Sequence, residues 1–176
     1  MSPANSSWTR FVPVTLVSGL FVAQILVGIY LLPTVSQIET LAYAGAGLYA
    51  VAGLVFGGLP VIEFRKKGGV KKGNSYIRTT RLVDTGMYSI VRHPQYVTFM
   101  LWAAAGMLLF QHWSVVLLGA PIVPLTYVDL VKADEDAIEK FGDDYKAYMR
   151  RVPRANFLLG IVRRWRQRNK QPQARA

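Results

Sequence analysis

Long uncharged runs set the pattern of this chain. Residues 11–62 hold one charge, Glu39. Within them, Phe11–Leu32 is an uncharged run of 22 residues stopped by Pro33, and Leu41–Ile62 is a second of 22. At a rise of about 1.5 Å per residue, a helix of that length covers the roughly 30 Å core of a bilayer. The first run is too long for a cleavable leader, and no small-residue cleavage site follows it. Two shorter apolar stretches, Gln95–Phe110 and Ser114–Leu130, are joined by the tight link Gln111-His112-Trp113. They read as a tilted helical hairpin, with room for one end to be buried in protein rather than lipid. The pattern predicts an all-α, polytopic membrane protein forming a single domain over 1–176. Its four spans fall at about 11–32, 41–62, 95–110 and 114–131. A polar cytoplasmic helix runs to about Arg151, and a short apolar piece, Asn156–Val162, follows Pro153. Ala42, Ala46, Ala50 and a Gly53-x-x-x-Gly57 pair form a small-residue stripe on the second span. Such spacing lets helix backbones approach closely in lipid, so packing is the role expected of it.

Composition narrows the function classes. Hydrophobic residues make up 52% and charged residues 18%, against about 25% charged in soluble domains. That much apolar surface rules out disorder. The absence of cysteine excludes disulfides, thiolate nucleophiles, zinc fingers and iron–sulfur clusters. Only His93 and His112 are available for a histidine-built metal site, so none is expected. The net charge of +11 sits beside the apolar runs: in a basic, glycine-rich loop over 63–93, with Lys71, Lys72 and Arg78 among its cations, and in the tail from Arg163. The link Pro33–Thr40 has no Lys or Arg. This asymmetry places both basic regions and both termini in the cytoplasm. With no other targeting segment, a prokaryotic plasma membrane is expected. The tail reads as frayed or resting on anionic lipid headgroups. Nucleic-acid binding would not require the uncharged spans, so no nucleic-acid partner is expected.

Two polar clusters flank the third and fourth spans. The first is Asp84-Thr85-Gly86-Met87-Tyr88 followed by Arg92-His93-Pro94-Gln95-Tyr96. Pro94 suits the first turn of a helix, and the open N–H groups of such a turn suit a carboxylate or phosphate. A simple capping role for His93 and Pro94 is the alternative. The second cluster is Asp129, Asp134, Glu135, Asp136 and Glu139. Residues 134–136 spread over about 200° of a helix, so at least one must face the protein; a solvated acidic turn paired with Lys132 or Lys140 is the alternative. Tyr88, Tyr96, Trp102, Tyr127, Tyr145 and Tyr148 surround these segments with ring faces that attract cations. A basic helix mouth and an acidic helix exit together suit a zwitterion with an added positive centre, such as a sulfonium cofactor.

The stretch Leu82-Val83-x-x-Gly86-x-Tyr88-x-x-x-Arg92-His93-Pro94-x-Tyr96 resembles the signature of the integral membrane methyltransferases that include isoprenylcysteine carboxyl methyltransferase and phospholipid N-methyltransferases. The resemblance continues through the acids at 134–136, Phe141-Gly142-Asp143-Asp144-Tyr145-x-x-Tyr148 and Arg151-Val152-Pro153, covering about 80–154. It implies an S-adenosylmethionine-dependent transferase with a helical membrane fold and a cofactor pocket on the cytoplasmic side. The family's cofactor contacts fall on Leu82, Val83, Tyr88, His93, Pro94, Gln95 and Tyr96. Its glutamate doublet falls on Asp134-Glu135 counted from His93, or on Ala133-Asp134 counted back from Phe141. Asp134 is common to both.

The resemblance departs from the family in ways that bear on the acceptor. Asp129, Leu130 and Val131 stand where the prenylcysteine enzymes carry an arginine. An acid there disfavours a carboxylate substrate and favours an amine, such as a phospholipid headgroup, entering sideways from the bilayer. Asp134 or Glu135 would take the amine's proton, which requires a pKa raised by burial. His93 is expected to anchor the cofactor, with a base role secondary. Methyl esterification of a prenylcysteine-like carboxylate is the alternative acceptor chemistry. A nicotinamide-dependent membrane reductase and a non-enzymatic scaffold on anionic lipid are the alternative classes. Four short spans without an inverted repeat leave transport the weakest reading.

Overall fold

The computed structural model describes residues 7–34, 38–69 and 80–170, with side chains of 15–33, 38–69 and 80–169. Every regular element among them is helical: α1 (Ser7–Leu31), α2 (Glu39–Ala52), α3 (Leu59–Lys67), α4 (Pro94–Phe110), α5 (Trp113–Gly119), α6 (Ile122–Arg151) and α7 (Phe157–Lys170). A π-helical turn, Gly53–Gly58, joins α2 to α3, and short 3₁₀ turns lie at Leu32–Thr34 and Gly86–Ser89. Two helical stretches are long and apolar enough to cross a bilayer, Glu39–Lys67 and Trp113–Arg151. Thr15–Leu31 and Pro94–Phe110 are shorter apolar helices.

These elements correct several expected boundaries. The second apolar helix continues past Ile62 to Lys67, so Arg65, Lys66 and Lys67 are its last turn rather than loop. Lys71, Lys72 and Arg78 lie outside the described residues. The fourth stretch is interrupted between Gly119 and Ile122, where Pro121 offers no N–H. α6 then runs from the apolar zone straight into the polar region, so no separate C-terminal helix starts after the acids. Its one break is Gly142, at φ 58° and ψ −130°, a conformation essentially restricted to glycine. The tail from Arg163 is not frayed: as far as Lys170 it is part of α7.

The residues fall into two compact units. The first comprises the chain up to Gly53 and Thr98–Lys132. It is held by close apolar packing and one buried amide. Val17, Ala103 and Ile122 form its core, with Leu20, Phe21 and Leu125 against them. Gln24 on α1 is fully buried, and its Nε2 donates to Ala103 O at 3.0 Å and Val115 O at 3.5 Å. A polar side chain in apolar surroundings gains by finding such carbonyls, so Gln24 ties α1 to α4 and α5. The Trp102 ring stacks on Tyr49 at 4.8 Å and its Nε1 donates to Tyr49 O at 2.8 Å. Gly45 is where α2 and α4 meet backbone to backbone: a β-carbon there would stand 2.7 Å from Leu109 N and 2.8 Å from Ala105 O. The stripe Ala42, Ala46, Ala50 is not the packing face, because Ala46 and Ala50 are exposed. His112 caps α5 by accepting from Ser114 N at 3.3 Å.

The second unit, Leu54–Val97 with Ala133 onward, carries the polar motifs. Val83, Tyr88, Tyr145, Tyr148 and Val152 form its core. Glu63 near the end of α3 fastens the loop, accepting from Met87 N at 3.0 Å, Thr85 Oγ1 at 3.2 Å and Lys67 Nζ at 2.9 Å.

Candidate active site

The site is built where three distant pieces of the second unit meet. The extended segment before α4 is held by the turn after α6: Arg92 N donates to Pro153 O at 3.1 Å and His93 N to Arg154 O at 3.3 Å. Arg92-His93-Pro94 and Arg151-Val152-Pro153 are thus two sides of one joint. Below it, Asp134 is 2% exposed and its two oxygens collect four donors. Arg92 Nη2 lies at 2.9 Å and Arg154 Nε at 2.7 Å from Oδ2; His93 Nε2 at 2.7 Å and Tyr145 Oη at 2.6 Å lie against Oδ1. Tyr148 Oη donates to Tyr88 O at 2.5 Å and fixes the 3₁₀ turn to the same helix.

The helix explains why one acid is inside. Of the triplet on α6, Asp134 points inward while Glu135 and Asp136 are exposed. Burial by itself raises the Asp134 pKa. The hydrogen bonds from His93 and Tyr145 and the charges of His93 and Arg92 outweigh it, holding this carboxyl well below its ordinary range. The elevation a general base needs is therefore absent. Tyr145 is pushed the other way, first by burial and then by its hydrogen bond to the Asp134 carboxylate, and stays a neutral phenol.

A cavity of about 130 Å³ opens beside this joint. Leu82, Val83, Tyr88, His93, Pro94, Gln95 and Tyr96 all line it. Asp134 and Glu135 do not: Asp134 stands behind His93, and Glu135 faces outward. Its charged lining is Arg81 and Arg92, with no carboxylate among the described residues. Arg92 Nε is buried without a partner among the described residues, on the wall of this cavity. Phe64, Tyr88, Tyr96, Phe141, Tyr145 and Tyr148 supply aromatic walls.

Of the aromatic residues singled out in the sequence, Trp102 and Tyr127 do not line the cavity, and neither does Asp129. Phe64 and Arg81 lie outside the motifs and were not anticipated; nothing local in the sequence distinguishes them from a core aromatic and a loop cation. Arg154 was legible only as the residue after the Arg151-Val152-Pro153 motif. No group of His, Asp and Glu suited to a metal ion occurs among the described residues.

Comparison with known proteins bears on the same residues. The model of the isoprenylcysteine carboxyl methyltransferase (ICMT) family matches residues 74–140. The protein-S-isoprenylcysteine O-methyltransferase of Schizosaccharomyces pombe is 33% identical over 73 residues, covering 41% of this chain and 31% of that protein. The chain thus spans about a third of the length of this curated relative. No solved structure matches. The matched stretch contains the loop from residue 74 on, His93-Pro94-Gln95-Tyr96 and the acids 134–136 of α6, and through it the chain resembles the isoprenylcysteine carboxyl methyltransferase family.

Proposed function

We propose that this protein is an S-adenosylmethionine-dependent membrane methyltransferase that esterifies the carboxylate of a lipid-like acceptor of the prenylcysteine type. The observation that carries the choice of acceptor is the lining of the cavity: two arginines, aromatic faces and no acid among the described residues. The preference for an amine acceptor rested on Asp129, which is not part of that lining, and neither comparison supports a phospholipid amine. An amine must also lose a proton before it attacks, whereas a carboxylate is already ionised at pH 7. A site whose nearest carboxyl is saturated by four donors suits the acceptor that needs no base.

The residues fit the cofactor class. S-adenosylmethionine, when bound, would supply a sulfonium methyl open to in-line attack by an acceptor oxygen: the O–C bond would form as the S–C bond breaks, giving an ester and releasing a neutral thioether. Arg92 Nε is a buried donor suited to its amino-acid carboxylate, and the aromatic walls suit its sulfonium. Leu82, Val83, Tyr88, Pro94, Gln95 and Tyr96 would hold it, with His93 as the anchor that Asp134 orients. Asp134 and Glu135 leave the cofactor-contact and base roles: Asp134 is a positioning residue and Glu135 faces outward. The cavity is smaller than the ~300–1,000 Å³ of pockets that enclose a cofactor-sized ligand, so part of one would extend from the mouth. Bringing two reactants together and excluding water supplies about 7–11 kcal/mol of such a barrier.

In this reading the four apolar segments span the membrane with the basic ends and both termini in the cytoplasm, and the acceptor arrives from the bilayer. The test is transfer of a radiolabelled methyl group from S-adenosylmethionine to a farnesylated cysteine derivative, with phosphatidylethanolamine in parallel. A product that releases methanol in alkali supports the ester. An alkali-stable product on the amine lipid returns the acceptor to an amine. Failure to bind S-adenosylhomocysteine while binding NADPH overturns the class.

A further inference from the structure

A second hollow in the same unit is chemically unlike the first. It is an open groove of about 580 Å³ between α3, the 3₁₀ turn and α7. Its cationic end is made by Lys66, Lys67 and Arg164, and its apolar floor by Leu59, Ile62 and Ile90. Glu63 also lines it, but that carboxylate is engaged by Lys67, Thr85 and Met87 N, and the lining keeps a net positive charge.

The helices forming the groove share a polarity. α3 passes from Leu59 and Ile62 to Arg65, Lys66 and Lys67 at its end. α7 has no charge from Phe157 to Val162, then carries Arg163, Arg164, Arg166 and Arg168. Its attachment is narrow: Phe157 packs on Phe56 at 5.0 Å, Gly160 lies against the Ile90 carbonyl, and Arg164 Nη1 donates to Gly86 O at 2.9 Å. Leu158, Ile161, Val162 and Trp165 remain exposed, Trp165 within the basic half just past Arg163 and Arg164. Apolar residues followed by arginines with a tryptophan among them are the residue types met on crossing from acyl chains to headgroups.

We propose that this groove binds an anionic phospholipid of the surrounding bilayer, its phosphate between Lys66 and Arg164 and the start of its acyl chains along Leu59 and Ile62. Charge complementarity selects this occupant: a cationic end beside an apolar floor matches an anionic amphiphile and neither a neutral lipid nor a free anion. Methyl transfer is not required for it, so the two readings stand or fall separately.

The test uses the full chain, delipidated in nonionic detergent and titrated in mixed micelles with dioleoyl phosphatidylglycerol, with tryptophan fluorescence as readout. Saturable binding is expected, weakened at least five-fold by Lys66→Glu and by Arg164→Gln. Arg168→Glu, outside the groove lining, should leave it within two-fold. Dioleoyl phosphatidylcholine and glycerol 3-phosphate should each bind at least ten-fold more weakly. Lys66→Glu alters an exposed side chain and keeps the Arg164–Gly86 bond, so its fold is expected to survive, checked by circular dichroism. Equal binding of the two lipids, equal loss in Arg168→Glu, or glycerol 3-phosphate binding as tightly as the lipid overturns the proposal. So does self-association through this face that displaces the lipid, seen as a doubled mass in light scattering.

Discussion

The two units use opposite means of cohesion. The first is joined by surfaces without charge: a glycine that admits a neighbouring backbone, stacked Trp102 and Tyr49, and the amide of Gln24 on two carbonyls. The second is joined by an ion at its centre, because the loop before α4, the inward face of α6 and the turn before α7 all converge on Asp134. Apolar contacts fade gradually when one is removed. A buried carboxylate shared by two guanidiniums does not, since its loss strands the cations. Construction and chemistry are therefore inseparable in the second unit and separable in the first.

The largest expected effect tests that inseparability. Asp134→Asn removes the counter-charge of the buried Arg92 and should destabilise the protein by about 3–5 kcal/mol, read from denaturant or thermal unfolding in detergent. S-adenosylhomocysteine affinity, measured by calorimetry on the folded fraction, should fall with it as His93 loses its partner. Arg154→Ala should be milder, because this side chain is about a third exposed. If Asp134→Asn were neutral, the contrast between the units would collapse.

Acidity provides a second lever on the same carboxylate. Its pKa is lowered in the folded protein, so its stabilising contribution is complete above the ordinary carboxylate value near 3.8 and is lost as pH falls towards the folded value. Unfolding midpoints should therefore drop on acidification below about pH 4, and that part of the slope should vanish in Asp134→Asn. A slope unchanged in the variant would move the acid sensitivity to other carboxylates.

Gly142 ranks next. A β-carbon there meets nothing within 4 Å, so space is not what the position demands; the backbone angles are. Gly142→Ala should destabilise by about 1–3 kcal/mol through strain alone, and a loss of cofactor affinity beyond that would show that the kink also aims Tyr145 and Tyr148.

The sequence revealed these two architectures unequally. Apolar runs announce helices through their length, so α1 and α4 were legible to within a few residues, while the second run was broken by a π turn and carried on to Lys67. The inward acid of α6 was foreseen because three adjacent carboxylates cannot all face water. Seven of the nine residues assigned to the cofactor share one cavity because they lie in one short motif on consecutive backbone. What stayed hidden depends on the helix's rotation about its axis and on distant partners. Asp134 and Glu135 are adjacent in sequence, yet the first is buried and the second exposed, and Asp129 belongs to the other unit, outside the lining of the cavity. The stripe at Ala42, Ala46 and Ala50 gave way to Gly45 for the same reason: composition marks a helix that can pack closely, but only the packed partner decides which face does.

Gln24 gives the smallest expected effect and the most direct test of the first unit. Its amide is the polar link from α1 to α4 and α5, yet hydrogen bonds between helices in lipid average only about 0.6 kcal/mol, because the loosened helices find other partners. Gln24→Leu keeps most of the volume and replaces the amide with groups that the surrounding apolar wall accepts. It should change the unfolding free energy by no more than about 1 kcal/mol and leave S-adenosylhomocysteine binding untouched. A loss several times larger would mean that the first unit, too, hangs on a single polar contact, and the contrast between the units would then be one of charge and not of design.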